Sequence, residues 1–67
     1  MKYNLKFKDI DEIREFEKED FTIRDVLNEL GLSAQTTVAK QNVEITIEDC
    51  VVNDGDEIQL VQIIYGG

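Results

Sequence analysis

The sequence predicts an α+β fold, a single domain over residues 1–67 in which a mixed sheet of about five strands carries one helix across it. Three observations lead there. "KYNLKFK" (2–8) alternates apolar and polar residues with period two, as a strand with one buried face does. "FTIRDVLNELGL" (21–32) holds the start and stop signals of a short amphipathic helix. "NDGDEIQLVQII" (53–64) is a tight-turn dipeptide leading into an apolar run.

Taken in order, Tyr3, Leu5 and Phe7 form the buried face of the first strand, with Lys2, Asn4, Lys6 and Lys8 opposite. "DIDE" (9–12) supplies acids that suit a turn. "IREFEKE" (13–19) then reads as a second strand, hairpinned to the first, its charges suited to a solvent-exposed edge. The spacing of Ile10, Ile13 and Phe16 by threes is also compatible with a helix.

The helix spans about Ile23 to Leu30. Thr22 is its N-cap, and Asp25 at the third helical position completes an [ST]-x-x-[DE] box near the positive end of the dipole. Phe21 and Val26 have the spacing of a hydrophobic staple. Ile23, Val26, Leu27 and Leu30 make one apolar stripe. Gly31 closes the helix in the left-handed region, and Leu32 folds back on the last turn. So short a helix does not stand alone, and its stripe must lie on a sheet.

"TTVAK" (36–40) and "VEITI" (43–47) read as two short strands joined around Gln41-Asn42, with Asn42 as the turn residue. Glu48 to Asn53 crosses the sheet irregularly, with Val51 or Val52 plugging its underside. Asp54-Gly55 turns the chain, and the last strand starts at Glu57. Its apolar residues Ile58, Leu60, Val61, Ile63 and Ile64 predict a central strand beside the first and parallel to it, with partly covered surroundings. This order, with the last strand central, is the β-grasp arrangement.

Bulk properties restrict the function. Sixty-seven residues build a modest core and leave little interior for an enzyme pocket. Fifteen acids against seven bases give a net charge of −8, which excludes phosphate-tracking nucleic-acid binding and attachment to an anionic membrane. It suits a soluble monomer that is steered towards a basic partner. There is no histidine, so Ser-His and Cys-His pairs and His-containing zinc sites are excluded. The single Cys50 has no basic sequence neighbour to activate it and reads as a packed bystander. A reducing, cytoplasmic setting is expected. The acids Asp9, Asp11 and Glu12, and Asp54, Asp56 and Glu57, lack calcium-loop spacing and read as solvated turns.

The stretches "FTIRDVLNELGL" and "VVNDGDEIQLVQIIYGG" resemble the ThiS/MoaD superfamily of ubiquitin-like β-grasp proteins, in particular ThiS-type sulfur carriers and small archaeal modifier proteins. The matching pattern is a hydrophobic residue, a D-G-D-E turn, a hydrophobic strand and a terminal Gly-Gly, carried by Val52, Asp54, Gly55, Asp56, Glu57, Ile58, Leu60, Gly66 and Gly67. The turn before the fourth strand, often Asn-Gly in that family, here reads "KQNVE" (40–44), and the proline often found after that strand is missing.

The resemblance implies a substrate protein and not an enzyme. An ATP-dependent activating enzyme of the ThiF/MoeB type adenylates the carboxylate of Gly67. Sulfur transfer then gives a thiocarboxylate for tRNA thiolation, thiazole or molybdopterin synthesis. Alternatively a target-protein lysine attacks to give an isopeptide bond, as in a ubiquitin-like modifier. ATP belongs to the activating partner, and no cofactor is bound by this chain; a sulfur-accepting enzyme completes the carrier route. Physically, the tail must be thin and extended to reach a buried ATP, which glycine permits. An α-carboxyl is ionised at neutral pH and ready to attack. Residues 64–67 are the expected flexible tail, with Gly66, Tyr65 and Ile64 recognised by the activating enzyme. A non-covalent binding module with an incidental Gly-Gly is the remaining reading.

Overall fold

The computed structural model describes residues 1–63. They form a five-stranded sheet in the order β2-β1-β5-β3-β4, with one helix packed on one face. The strands are β1 (Lys2–Phe7), β2 (Ile10–Glu15), β3 (Thr37–Gln41), β4 (Glu44–Thr46) and β5 (Glu57–Gln62), and the helix α1 is Ile23–Leu30. β5 lies at the centre, parallel to β1 and antiparallel to β3, as the apolar run of the last strand requires. The α+β, β-grasp expectation holds.

The helix forms where its local signals place it. Thr22 Oγ1 accepts the Asp25 N–H at 3.4 Å, and Asp25 Oδ2 accepts the Thr22 N–H at 2.9 Å, closing the capping box. At the other end Gly31 has φ 69°, and its N–H donates to Asn28 O at 3.2 Å. The Leu32 N–H reaches back to Leu27 O at 2.9 Å, so a Schellman motif satisfies the last carbonyls. Ile23, Val26 and Leu27 are buried, and Leu30 packs against the core from its margin.

The crossover after β4 caps the helix from outside. The N–H of Ile23 donates to Cys50 O at 3.0 Å and that of Arg24 to Glu48 O at 2.9 Å. Two of the donors that every helix start leaves unpaired are thus met by the same segment that carries the chain to β5. Val52, not Val51, plugs the underside: Val52 is buried and Val51 is exposed.

The core unites the inward faces. Tyr3 and Leu5 of β1, Ala39 of β3, Ile58 and Leu60 of β5 and the helix stripe meet there. Tyr3, Phe16 and Phe21 form an aromatic group, with the rings of Phe16 and Phe21 stacked at 4.9 Å.

Three local expectations are corrected. β2 begins at Ile10, because Phe7 pairs with Ile10 across a two-residue Lys8-Asp9 loop in which Lys8 adopts φ 53°. "DIDE" is therefore mostly strand, and Phe16 leaves β2 to enter the core. The β3–β4 turn is Asn42-Val43, both at positive φ, since Gln41 pairs with Glu44. Val61 and Ile63 are 46% and 38% exposed, because the sheet is covered on one face and open on the other.

Candidate functional site

The candidate site is the outgoing end of β5. Its tail, Ile64, Tyr65, Gly66 and Gly67, lies outside the described residues. What leads to it is set by the sheet. Ile58 and Leu60 are buried between β1 and β3, so β5 is fixed on both sides by ladders and beneath by the core. The Ile63 N–H donates to Thr36 O at 2.7 Å, carrying the ladder one residue past the strand. Beside this end a shallow hollow of about 280 Å³ is lined by Phe7, Lys8, Gln59, Leu60, Val61 and Gln62.

The other end of β5 is clamped by a polar network. Asp56 is only 8% exposed and accepts Gln41 Nε2 at 2.7 Å, Asn42 Nδ2 at 2.9 Å and the Asn53 N–H at 2.8 Å. Asn42 Oδ1 in turn accepts the Glu57 N–H at 2.9 Å. On the β1 side the Gly55 N–H donates to Lys2 O at 2.7 Å and the Asn4 N–H to Asp56 O at 2.9 Å. Burial pushes the Asp56 carboxyl up; the bonds from Asn42, Asn53 and Gln41 outweigh it and leave the group below the usual aspartate range.

This overturns the reading of Asp56 as part of a solvated turn. No local pattern links Asn42 to Asp56. Their meeting depends on the antiparallel register of β3 on β5, which pairs Gln41 with Ile58. The D-G-D-E stretch was the one available hint, because a carboxylate just after a tight turn is well placed to accept backbone N–H groups.

The open face of the sheet runs along β5 as far as Ile63. Val61 pairs with Val38, and Lys6 and Lys40 flank Gln59 on the same face. Lys6 forms an ion pair with Glu57 at 3.1 Å. Cys50 is half-buried against the core, away from this face's strand pairs. Hydrogen bonding with the Thr46 side chain and then the Ile47 backbone draws its thiol below its usual value. Among the described residues no group of three or more Cys, Asp or Glu is placed to hold a metal ion, and no helix is long and apolar enough to cross a membrane.

The backbone resembles that of SAMP1 from Haloferax volcanii, with a TM-score of 0.75 at 17% identity and 100% of both chains covered. It also resembles a ubiquitin-like protein from the hyperthermophilic archaea Caldiarchaeum subterraneum, with a TM-score of 0.59 at 19% identity over 98% of this chain and 100% of that one. At these identities the likeness is one of fold. The ThiS family matches residues 1–67, the full span given. With a β-grasp sheet that places the strand before the Gly-Gly at its centre, the chain belongs to the ThiS family.

Proposed function

We propose that the chain is a sulfur carrier whose reactive group is the carboxylate of Gly67. Membership of the ThiS family supports this, and the observation that carries it is the placement of β5. A central strand, held by two ladders and clamped at Asp56, gives the following residues a fixed point of departure.

The chemistry is acyl activation. A carboxylate oxygen of Gly67 attacks the α-phosphorus of ATP in a ThiF/MoeB-type enzyme, and pyrophosphate leaves. A sulfide nucleophile then attacks the acyl carbon and expels AMP, giving the thiocarboxylate. Gly66 and Gly67 present no side chain to the narrow approach this requires. Ile64 and Tyr65, which follow the exposed Ile63 in sequence, serve as contacts for the activating enzyme. A sulfur-accepting enzyme receives the product.

Intact mass measurement of protein from its native host tests this. Sulfur in place of one terminal oxygen is the expected result. Gly-Gly remnants on lysines of other proteins, with no thiocarboxylate, would replace the carrier reading by that of a conjugated modifier. Unchanged adenylation after removal of Gly66 and Gly67 would overturn both.

A further inference from the structure

The two edges of the sheet are built differently. β2 is guarded: four of its six residues, Asp11, Glu12, Arg14 and Glu15, are charged, which discourages strand addition. The one strongly exposed apolar residue of β2, Ile13 at 62%, stands among those charges, whereas β4, the other edge, carries a single charge, Glu44, beside its isoleucine. Ile45 is 74% exposed, and Ile47 just beyond the strand is 66% exposed. The register also sets the backbone. Gln41 and Glu44 close the two-residue loop, so they exchange hydrogen bonds, and the next pair, Lys40 and Ile45, does not. The N–H and C=O of Ile45 therefore point outward from the sheet.

Alongside this edge runs a groove of about 320 Å³ between α1 and the β3–β4 hairpin. Ile23, Leu27 and Ala39 contribute to its lining, and Ile45 and Ile47 stand at its margin. Glu48 also lines it, and Glu44 and Asp49 are exposed close by in the chain. Arg24, ion-paired with Glu48 and Asp49, offsets only part of this charge.

We propose that β4 takes up an extended segment of another protein as a sixth strand, its aliphatic side chains entering the groove and its flanking Lys or Arg residues meeting Glu44, Glu48 and Asp49. Outward backbone groups select an extended occupant over a helix. The acidic surround selects a basic-flanked one. A second copy of this chain is disfavoured, because each copy carries a net charge of −8. The site lies on the β4 edge and does not involve Gly67, so it stands apart from the carrier chemistry.

The probe is a capped heptapeptide of alternating Val and Thr with Lys at each end, titrated into the full chain with amide resonances followed by NMR. Saturable shifts at Glu44 to Ile47, with slowed exchange of the Ile45 amide and unmoved resonances at Asp11 to Arg14, are expected. Ile45→Lys, at a position already exposed, keeps the fold and weakens binding about tenfold or more. Replacing the peptide's terminal lysines by glutamates weakens it comparably at low salt. Any of four results overturns the proposal: no shift at millimolar peptide, shifts centred elsewhere, undiminished binding by Ile45→Lys, or concentration-dependent shifts at Ile45 in the protein alone, which would mean self-association.

Discussion

Val43 sits at φ 67° with 76% of its surface exposed, a conformation that β-branched residues resist and that no burial compensates. The left-handed region costs about 1–2 kcal/mol for a residue with a Cβ. Glycine escapes that strain and loses more chain entropy on folding, about 0.5–1 kcal/mol. Val43→Gly is therefore expected to raise stability by about 0.5–1 kcal/mol, read as a higher urea midpoint at unchanged slope. A lower midpoint would show that the valine side chain holds the hairpin. This turn also marks a limit of the sequence: Asn42 was legible as a turn residue, but Val43 was not, because its left-handed angle is imposed by the pairing of Gln41 with Glu44. Asp56 is the second residue whose importance is tertiary. Its folded-state carboxyl lies below the unfolded value, so its contribution is complete above the unfolded pKa of about 3.9 and is lost as pH falls through the lower folded value. Thermal melts from about pH 5 down to about pH 2 should show a steep loss that Asp56→Asn makes shallower. At neutral pH the same variant should be less stable by about 2–3 kcal/mol, since bonds to a charged acceptor are weakened. An identical acid slope in both proteins would remove Asp56 from that role.

At the scale of elements, α1 and β1 were the most legible, because each is specified by contiguous residues. Thr22, Asp25 and Gly31 bound the helix where their side-chain and backbone chemistry predicts. Thr22→Ala should cost about 1 kcal/mol, and Thr22→Ser should restore most of it. If alanine is neutral in chemical denaturation, the crossover carbonyls of Cys50 and Glu48 alone suffice to start the helix. β2 and β4 were less legible, and for one physical reason: both are edges, stabilised on one side only. Charges along β2 hide the alternation that a buried strand would show, so the sequence pattern points to a loop later than the true Lys8-Asp9 hairpin loop. In β4 the strand ends at Thr46, and the apolar residue that follows, Ile47, begins the crossover instead. The centrality of β5 followed from its apolar run, yet the same run overstated its burial. Ile58 and Leu60 face the helix side, while Val61 faces the open side.

For the molecule as a whole, under the proposed carrier function, that open face and the charge distribution decide how it meets an activating enzyme. Acids on or near the helix, Asp25, Glu29, Glu48 and Asp49, are tied into ion pairs with Lys18, Arg14 and Arg24. The open face instead sets Lys6 and Lys40 about Gln59, next to the Val38–Val61 pair. Under that proposal a partner seated there covers the apolar surface of Val38 and Val61 and gains its hold without touching the helix. Val61→Asp separates docking from folding. The side chain is already 46% exposed, so the folded protein accepts the carboxylate in solvent with a change of only about 0.5 kcal/mol. In a docked complex the same carboxylate would lose water with no partner designed for it, a penalty of roughly 1–3 kcal/mol. The expected outcome is a melting temperature near that of the parent and a fall of about tenfold or more in kcat/KM for carrier adenylation. Glu29→Gln, on the helix side, should leave that rate within about twofold, since a surface charge far from the contact affects little beyond long-range steering. A faster rate for Val61→Asp with a slower one for Glu29→Gln would mean that net charge, which the two substitutions move in opposite directions from −8, governs recognition in place of the open face, and an unimpaired Val61→Asp protein would move the docking surface off this face altogether.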